Sequence, residues 1–294
     1  MRELVLYCKS YRNDLLRLER LAHSVRQFNA DAIPFYVSVP AQDFALFEAR
    51  IARQNINLIR DEDILHANPR IELDKVMALP GGVSQQIVKS EFWRLGISKT
   101  YVCLDSDCIF IRPFYLDDFI SPDGHPYTVM HESKELLQFA INHGRDDIYN
   151  SYHNIRAQLA EIVGRKGRHF DFGPVPAIWN SQVWRSLDTQ FLQPKSMNFY
   201  DAIQLFPSEL LWYGEAMLKF RPFPLLPVEA LFKVYHTESQ FVSGRKQGEN
   251  IERISKNYLG VVYQSNWQRE FDLDKKPLAS RAARWLRKKI TRRP

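Results

Sequence analysis

The sequence is poor in cysteine and has no long apolar run, and both absences exclude classes of protein. It contains three cysteines in 294 residues, Cys8, Cys103 and Cys108. None has the two-residue spacing of a zinc knuckle or a redox motif, and three cannot pair completely. The apolar stretch 4–8 is too short for the core of a signal peptide, and no stretch approaches the ~18 apolar residues that span a bilayer. We therefore expect a cytoplasmic protein whose membrane contact is peripheral.

Acidic residues are missing from one segment. Residues 281–294 contain none of the 34 acidic side chains but hold seven of the 40 Lys and Arg side chains. The rest of the chain is close to neutral, although the formal net charge is +6. In this segment Ala282, Trp285, Leu286 and Ile290 form one apolar stripe at helical spacing, which is typical of a basic helix that lies on an anionic lipid surface.

We accordingly expect residues 277–294 to be a basic amphipathic tail that binds the inner face of the cytoplasmic membrane. A helix docked on the body of the protein, or a disordered charged terminus, would produce the same pattern. Nucleic acid is not an expected partner, because the positive charge is confined to one short segment.

Residues 1–276 alternate between strand and helix patterns and contain no internal repeat or low-complexity linker. Strand patterns occur at residues 4–9, 33–39, 57–60 and 101–104. Amphipathic helical stretches separate them, and Ser84 and Ser208 are the expected N-caps of two later helices. This alternation predicts a single α/β domain with a central, mostly parallel mixed sheet and an elaborated C-terminal half.

Two carboxylates stand together where the fourth predicted strand ends. Asp105 and Asp107 follow the apolar run 101–104, and open α/β sheets bind ligands at the carboxyl ends of their strands. Side chains two residues apart in an extended chain point to the same side, so these carboxylates repel each other unless a cation lies between them. Their oxygens suit Mg²⁺ or Mn²⁺, which also bind diphosphate oxygens. The pattern predicts a divalent metal site. The structural alternative is a solvent-exposed turn at the end of the strand, with no metal.

Four segments, taken in order, resemble one family of enzymes. The segment 104–114, which contains Asp105-Ser106-Asp107, resembles the Asp-x-Asp segment of nucleotide-sugar-dependent glycosyltransferases of the GT-A fold. The other three are Gln85-Gln86-Ile87-Val88-Lys89, Gly173-Pro174-Val175-Pro176-Ala177-Ile178-Trp179-Asn180 and Ser208-Glu209-Leu210-Leu211-Trp212-Tyr213-Gly214-Glu215. The set is similar to a bacterial family catalogued as a domain of unknown function and regarded as glycosyltransferases of surface polysaccharides and lipopolysaccharides.

The resemblance implies a GT-A (Rossmann-like) fold and a metal-dependent transfer of sugar from a nucleotide-sugar donor to a glycan or glycolipid acceptor. It implies that the loop after the first strand, with Lys9 and Tyr11, seats the nucleotide, and an exposed tyrosine can stack on a base. It also implies that a late histidine, here His236, joins Asp105 and Asp107 as a metal ligand. Each of these residues has an ordinary structural alternative.

Three further features complete the expected site. Gln85 and Lys89 lie one helical turn apart, so both can face a cleft where the lysine meets a phosphate.

An acceptor hydroxyl must lose a proton to a base as it attacks the donor sugar. Glu209, just after the predicted cap, is our first candidate for that base, with Glu215 and Asp171 as rivals. The rings of Trp179 and Trp212 suggest a platform for a sugar, although both are equally suited to a core.

Other classes of protein remain as alternatives. Asp105-Ser106-Asp107-Cys108-Ile109 also resembles the nucleophile loop of haloacid-dehalogenase-like phosphatases, but those enzymes usually open with the motif. A nucleotidyltransferase is expected to carry glycines after its first strand, and the segment 9–13 has none. A non-catalytic membrane-surface adaptor would explain the basic segment and leave the paired carboxylates unexplained.

Overall fold

The computed structural model describes residues 2–51, 54–235 and 238–264. The strands of these residues are β1 Arg2–Lys9, β2 Phe35–Val39, β3 Ile56–Arg60, β4 Ser98–Leu104, β5 Cys108–Phe110, β6 Thr128–Val129, β7 Ala177–Asn180, β8 Pro227–Val228, β9 Phe232–Tyr235 and β10 Gly260–Tyr263. The α-helices are α1 Leu15–Phe28, α2 Ala41–Ile51, α3 Asp61–His66, α4 Leu73–Met77, α5 Gly81–Glu91, α6 Lys134–Asn142, α7 Asp146–Val163, α8 Ser181–Leu187, α9 Phe199–Leu205, α10 Glu209–Phe220, α11 Glu238–Lys246 and α12 Ile251–Ile254.

The central sheet has five strands in the order β3-β2-β1-β4-β7. The first four are parallel to one another, and β7 is antiparallel to β4. This arrangement confirms the predicted α/β class and the mostly parallel mixed sheet. β1 lies between two neighbours and is covered on both faces, which explains its nearly continuous apolar sequence.

Two layers of helices cover the sheet, and alternate residues of β1 pack into different layers. Val5 and Tyr7 belong to a core that includes α5, α8 and α10. Leu4, Leu6 and Cys8 belong to a second core that includes α1 and α2. The two-residue period of a strand therefore distributes one apolar run between two hydrophobic cores.

A smaller sheet of three strands, in the order β5-β10-β9, continues from the central one. β5 follows β4 after three residues, so the chain passes from one sheet to the other at the segment 105–107. β10 pairs antiparallel with β5 and parallel with β9.

The two predicted helix caps have different outcomes. The Ser208 side chain accepts a hydrogen bond from the backbone N–H of Leu211, which confirms it as the cap of α10. The prediction for Ser84 is wrong: α5 begins at Gly81 after the N-cap Pro80, and the Ser84 hydroxyl donates to the Gly81 carbonyl within the first turn. The helix therefore begins three residues before the predicted cap and includes Gly81 and Gly82 in its first turn.

Within the described residues, no helix combines the length and the apolar character needed to cross a bilayer. Residues 265–294 lie outside the described part of the chain, so the predicted boundary at residue 276 and the amphipathic tail stay predictions.

Candidate functional site

The carboxyl ends of four parallel strands bring the candidate residues to one edge of the central sheet. Lys9 ends β1, and Asp105 directly follows β4, the strand beside it. The loops after β2 and β3 reach the same edge because these strands run in the same direction. Such an edge is where ligands bind in open α/β sheets.

A tight turn holds the two aspartates that were predicted as metal ligands. The backbone N–H of Cys108 donates to the Asp105 carbonyl at 3.0 Å, which closes the turn between β4 and β5. The carbonyl of Asp107 accepts from the N–H of Tyr263 at 3.2 Å, so β10 braces the turn from the other side. The sequence pattern predicted that strand alternation sets the direction of the Asp107 side chain. Because residues 105–107 form a turn between β4 and β5, the turn sets that direction instead.

Lys89 joins two carboxylates that are far apart in the sequence. It lies on α5 and is 2% exposed. Its Nζ donates to Oδ1 of Asp105 at 2.6 Å and to Oε1 of Glu209 at 3.4 Å. Burial lowers the pKa of the Lys89 ammonium, but the neighbouring Asp105 and Glu209 carboxylates outweigh it and hold that pKa well above its usual range. A permanent buried cation therefore links the end of β4 to the start of α10.

Glu209 is the first residue of α10, directly after the cap Ser208. It is 8% exposed, and the contact with Lys89 fixes its carboxylate at the sheet edge. A carboxylate in the first turn is also favoured by the helix dipole. The structure thus places this candidate base beside Asp105 through a shared lysine.

The two rival carboxylates serve other partners. Glu215 is fully buried, and both of its oxygens accept hydrogen bonds from the Arg165 guanidinium. Oδ2 of Asp171 lies 2.7 Å from Nη2 of Arg156 and accepts from the Ser133 hydroxyl at 2.9 Å. Each is therefore paired with an arginine, whereas Glu209 is paired with the lysine that also contacts Asp105.

The loop after β1 combines one buried and one exposed candidate. Lys9 is buried, and its Nζ lies 3.4 Å from Oδ2 of Asp61. Tyr11 is 42% exposed, and its ring centroid is 5.7 Å from the Lys9 ammonium. The geometry leaves a tyrosine face at the surface of this edge. Gln85 is half-buried and lies one turn of α5 before Lys89, as its spacing predicted.

Sequence reasoning missed two groups at this edge. Asp61 directly follows β3 and is 2% exposed, and burial raises its pKa while Lys9 partly offsets that effect. The carboxyl-end rule that selected Asp105 would also have selected Asp61. The second group is Ser106 with Ser10, whose hydroxyls lie 2.9 Å apart. Nothing in their spacing indicated that contact, because 96 residues separate them.

The prediction that Trp179 and Trp212 form a platform for a sugar is wrong, because both rings are buried. Trp179 lies on β7 and is 1% exposed, while Trp212 is fully buried on α10. The Trp212 indole N–H donates to the carbonyls of Ala202 and Phe206, so its polar edge is also satisfied inside the protein. Both rings belong to the hydrophobic core beside α8 and α10.

The predicted third metal ligand, His236, lies outside the described residues. Its neighbour Tyr235 ends β9 and is in register with Tyr263 of β10. Tyr263 in turn contacts the carbonyl of Asp107. In the described part of the chain, no three His, Cys, Asp or Glu side chains form a group able to hold a metal.

A family model described as a family of unknown function (DUF6492) matches residues 3–275. No curated protein matches the chain. Among solved structures, the chain is similar to an active-site mutant of LgtC, with 13% identity, a TM-score of 0.49, and coverage of 94% of this chain and 98% of that chain. It is also similar to the galactosyltransferase LgtC in complex with donor and acceptor sugar analogues, with 13% identity, a TM-score of 0.47, and coverage of 94% and 99%.

Proposed function

This chain belongs to the DUF6492 family, and we propose that it is a glycosyltransferase that moves a sugar from a nucleotide-sugar donor to a glycan or lipid-linked acceptor. The resemblance of its Asp-x-Asp segment to those of GT-A enzymes suggests this reaction. The observation that carries the proposal is the cluster of Lys89, Asp105 and Glu209 at the carboxyl edge of the sheet.

The charges of this cluster favour a divalent cation. Lys89 contacts the carboxylates of Asp105 and Glu209 at this edge, and Asp107 belongs to the same turn as Asp105. A donor diphosphate would add further negative charge beside these carboxylates. Carboxylate oxygens are ligands that Mg²⁺ and Mn²⁺ accept, so the residues present fit such an ion.

Asp105, Asp107 and His236 are the ligands that we propose. The side chain of Asp105 is 38% exposed and therefore open to a ligand. The register of β9 with β10 brings Tyr235, the residue before His236, to the same edge as Asp107. When bound, the ion supplies Lewis-acid stabilisation of the charge on the departing diphosphate.

Glu209 is the proposed general base. It accepts the proton of the acceptor hydroxyl while that oxygen attacks the anomeric carbon of the donor sugar. Ser208 fixes the backbone at Glu209 and Lys89 fixes its carboxylate, so the base is held in one position before the acceptor arrives. This role belongs to a transfer with inversion, and NMR of the product's anomeric configuration would establish it.

The donor is proposed to lie across the ends of β1 and β4. Tyr11 offers an exposed ring to the nucleotide base, and Lys9 supports that segment through Asp61. Lys89, whose side chain is 3% exposed, positions the Asp105 and Glu209 carboxylates from the protein side. The half-buried Gln85, one turn earlier on α5, is the residue that we propose for a phosphate or sugar oxygen of the donor.

A thermal-shift screen tests this function. Uridine, guanosine, cytidine, adenosine and thymidine diphosphates are added with and without Mn²⁺. A selective ligand raises the apparent stability of the native protein. We expect the diphosphate of one base to raise Tm, and to do so only when Mn²⁺ is present. The nucleotide sugar of that base should then be the donor in a transfer assay. Hydrolysis of phosphate monoesters without nucleotide preference would support a phosphatase instead, and no response to any nucleotide would support a membrane-surface adaptor.

A further inference from the structure

Ser106, the middle residue of the turn 105–107, has its side chain buried in the protein. It is 4% exposed, while Asp105 before it is partly open to solvent. Its hydroxyl donates to the hydroxyl of Ser10 at 2.9 Å and lies 3.7 Å from the Cys8 thiol. These contacts connect the turn that holds Asp105 and Asp107 to the end of β1 on the buried side of the turn.

Ser10 is fixed on both sides. Its backbone N–H donates to the Ser38 carbonyl at 2.8 Å, which extends the pairing with β2 beyond the end of β1. Its side chain is 1% exposed and accepts the hydrogen bond from Ser106. The next residue is Tyr11, the exposed ring that we assign to the nucleotide base. Two short side chains thus connect the turn to this segment.

We propose that Ser106 is a positioning residue that couples the cation-binding turn to the nucleotide-binding segment, so that binding of a divalent cation and of a nucleoside diphosphate strengthen each other. This inference rests on the proposed function. In this role Ser106 contacts neither the cation nor the nucleoside diphosphate. Coupling between two sites is reciprocal, so each ligand must raise affinity for the other by the same factor.

A purely structural role makes a different prediction. Two buried hydroxyls that satisfy each other can be replaced together by methyl groups with little effect on stability, whereas removal of one leaves the other unsatisfied. Stability alone therefore reports only the hydrogen bond. The ion and the diphosphate also bind each other directly, so coupling through Ser106 is the difference between the native and variant chains in how much one ligand tightens binding of the other.

The experiment is a double-mutant cycle on Ser106→Ala, Ser10→Ala and the double variant. The dissociation constant of Mn²⁺ is measured by calorimetry, with and without the nucleoside diphosphate selected in the screen above. We expect the nucleotide to tighten Mn²⁺ binding in the native chain, and each single variant to reduce that factor about threefold to tenfold. The double variant should lose no more than either single variant, because both remove the same hydrogen bond.

Ser98→Ala is the matched control. Ser98 is the first residue of β4, the strand that leads into the turn of Ser106. It has the same 4% exposure as Ser106, and its hydroxyl makes no hydrogen bond within the described residues. Its replacement should leave the coupling unchanged. The inference is wrong if Ser106→Ala or Ser10→Ala retains the native coupling, or if the losses of the two variants add. A native chain that binds no nucleotide overturns the proposed function, and this inference with it. If one single variant does not fold, the coupling measured in the other single variant tests the inference, because each variant removes the same hydrogen bond.

Discussion

The ammonium of Lys89 lies 2.6 Å from Oδ1 of Asp105, although 16 residues separate them along the chain. Lys89 is almost completely buried on a helix, whereas Asp105 is partly exposed at the end of a strand. The lysine therefore binds the carboxylate from the protein side, and the rest of the Asp105 side chain stays partly exposed to solvent. The same ammonium contacts Glu209, so one cation sets the positions of a proposed metal ligand and of the proposed base.

Replacing Asp107 by Ala should remove Mn²⁺-dependent nucleotide binding and transfer. The fold should survive, because the backbone hydrogen bonds that hold the turn, from Cys108 to Asp105 and from Tyr263 to Asp107, do not depend on this side chain. Calorimetry with Mn²⁺ and circular dichroism measure the two effects. Undiminished turnover in this variant would remove Asp107 from the metal site.

Replacing Glu209 by Gln should reduce transfer by ~10²-fold or more while donor binding persists, because the amide keeps the shape of the side chain but cannot accept a proton. Steady-state rates and donor titration separate the two quantities. A parallel loss of donor affinity would show that Glu209 binds the donor and is not the base.

The matched control is Glu215→Gln on the same helix. Glu215 is buried against Arg165, so the substitution leaves a buried guanidinium without its counter-charge. Removing one partner of a buried ion pair destabilises a protein by about 3–5 kcal/mol. Urea denaturation should detect this loss, and the folded fraction should retain its transfer rate.

Glu91 should make stability fall as the pH rises from about 4.5 to about 7. Burial raises the pKa of this carboxyl to about 7, although Arg94 and Asn68 act in the opposite direction. Between its unfolded and folded pKa values the native state binds more protons than the unfolded state, so the free energy of unfolding decreases with rising pH. A shift of this size corresponds to about 3 kcal/mol.

Glu91→Gln does not titrate and should lack this decrease. Denaturant melts of both proteins at several pH values across the window provide the comparison. Parallel stability curves for the two proteins would exclude Glu91 as the source.

A chain that ends at Lys276 should fold and lose binding to vesicles of anionic lipid. The sequence of residues 281–294 predicts the basic amphipathic segment responsible, and each nearby cation contributes about 1 kcal/mol at such a surface. Binding of the full chain should weaken as salt rises. Equal sedimentation with vesicles for both chains, or none for either, would refute this role and leave the catalytic proposal intact.

The sequence alone was sufficient for the order of strands and helices around the site. Period-2 and helical apolar patterns report which face of an element is buried, and they located β1 and β4 correctly. The position of Asp105 at the end of β4 follows from the same reasoning, and the cap at Ser208 follows from the chemistry of a hydroxyl before a helix.

Only the tertiary structure showed which partner each of the three candidate carboxylates meets. Glu215 pairs with Arg165 and Asp171 with Arg156, whereas Glu209 meets Lys89 from a helix 120 residues earlier. It also buried the two tryptophans and linked Ser106 to Ser10. Local periodicity specifies that a side chain faces the interior, but the group it meets there depends on how distant elements pack. Charge pairing and hydrogen bonding act between those distant groups, so they are fixed when the sheet and its two helical layers assemble.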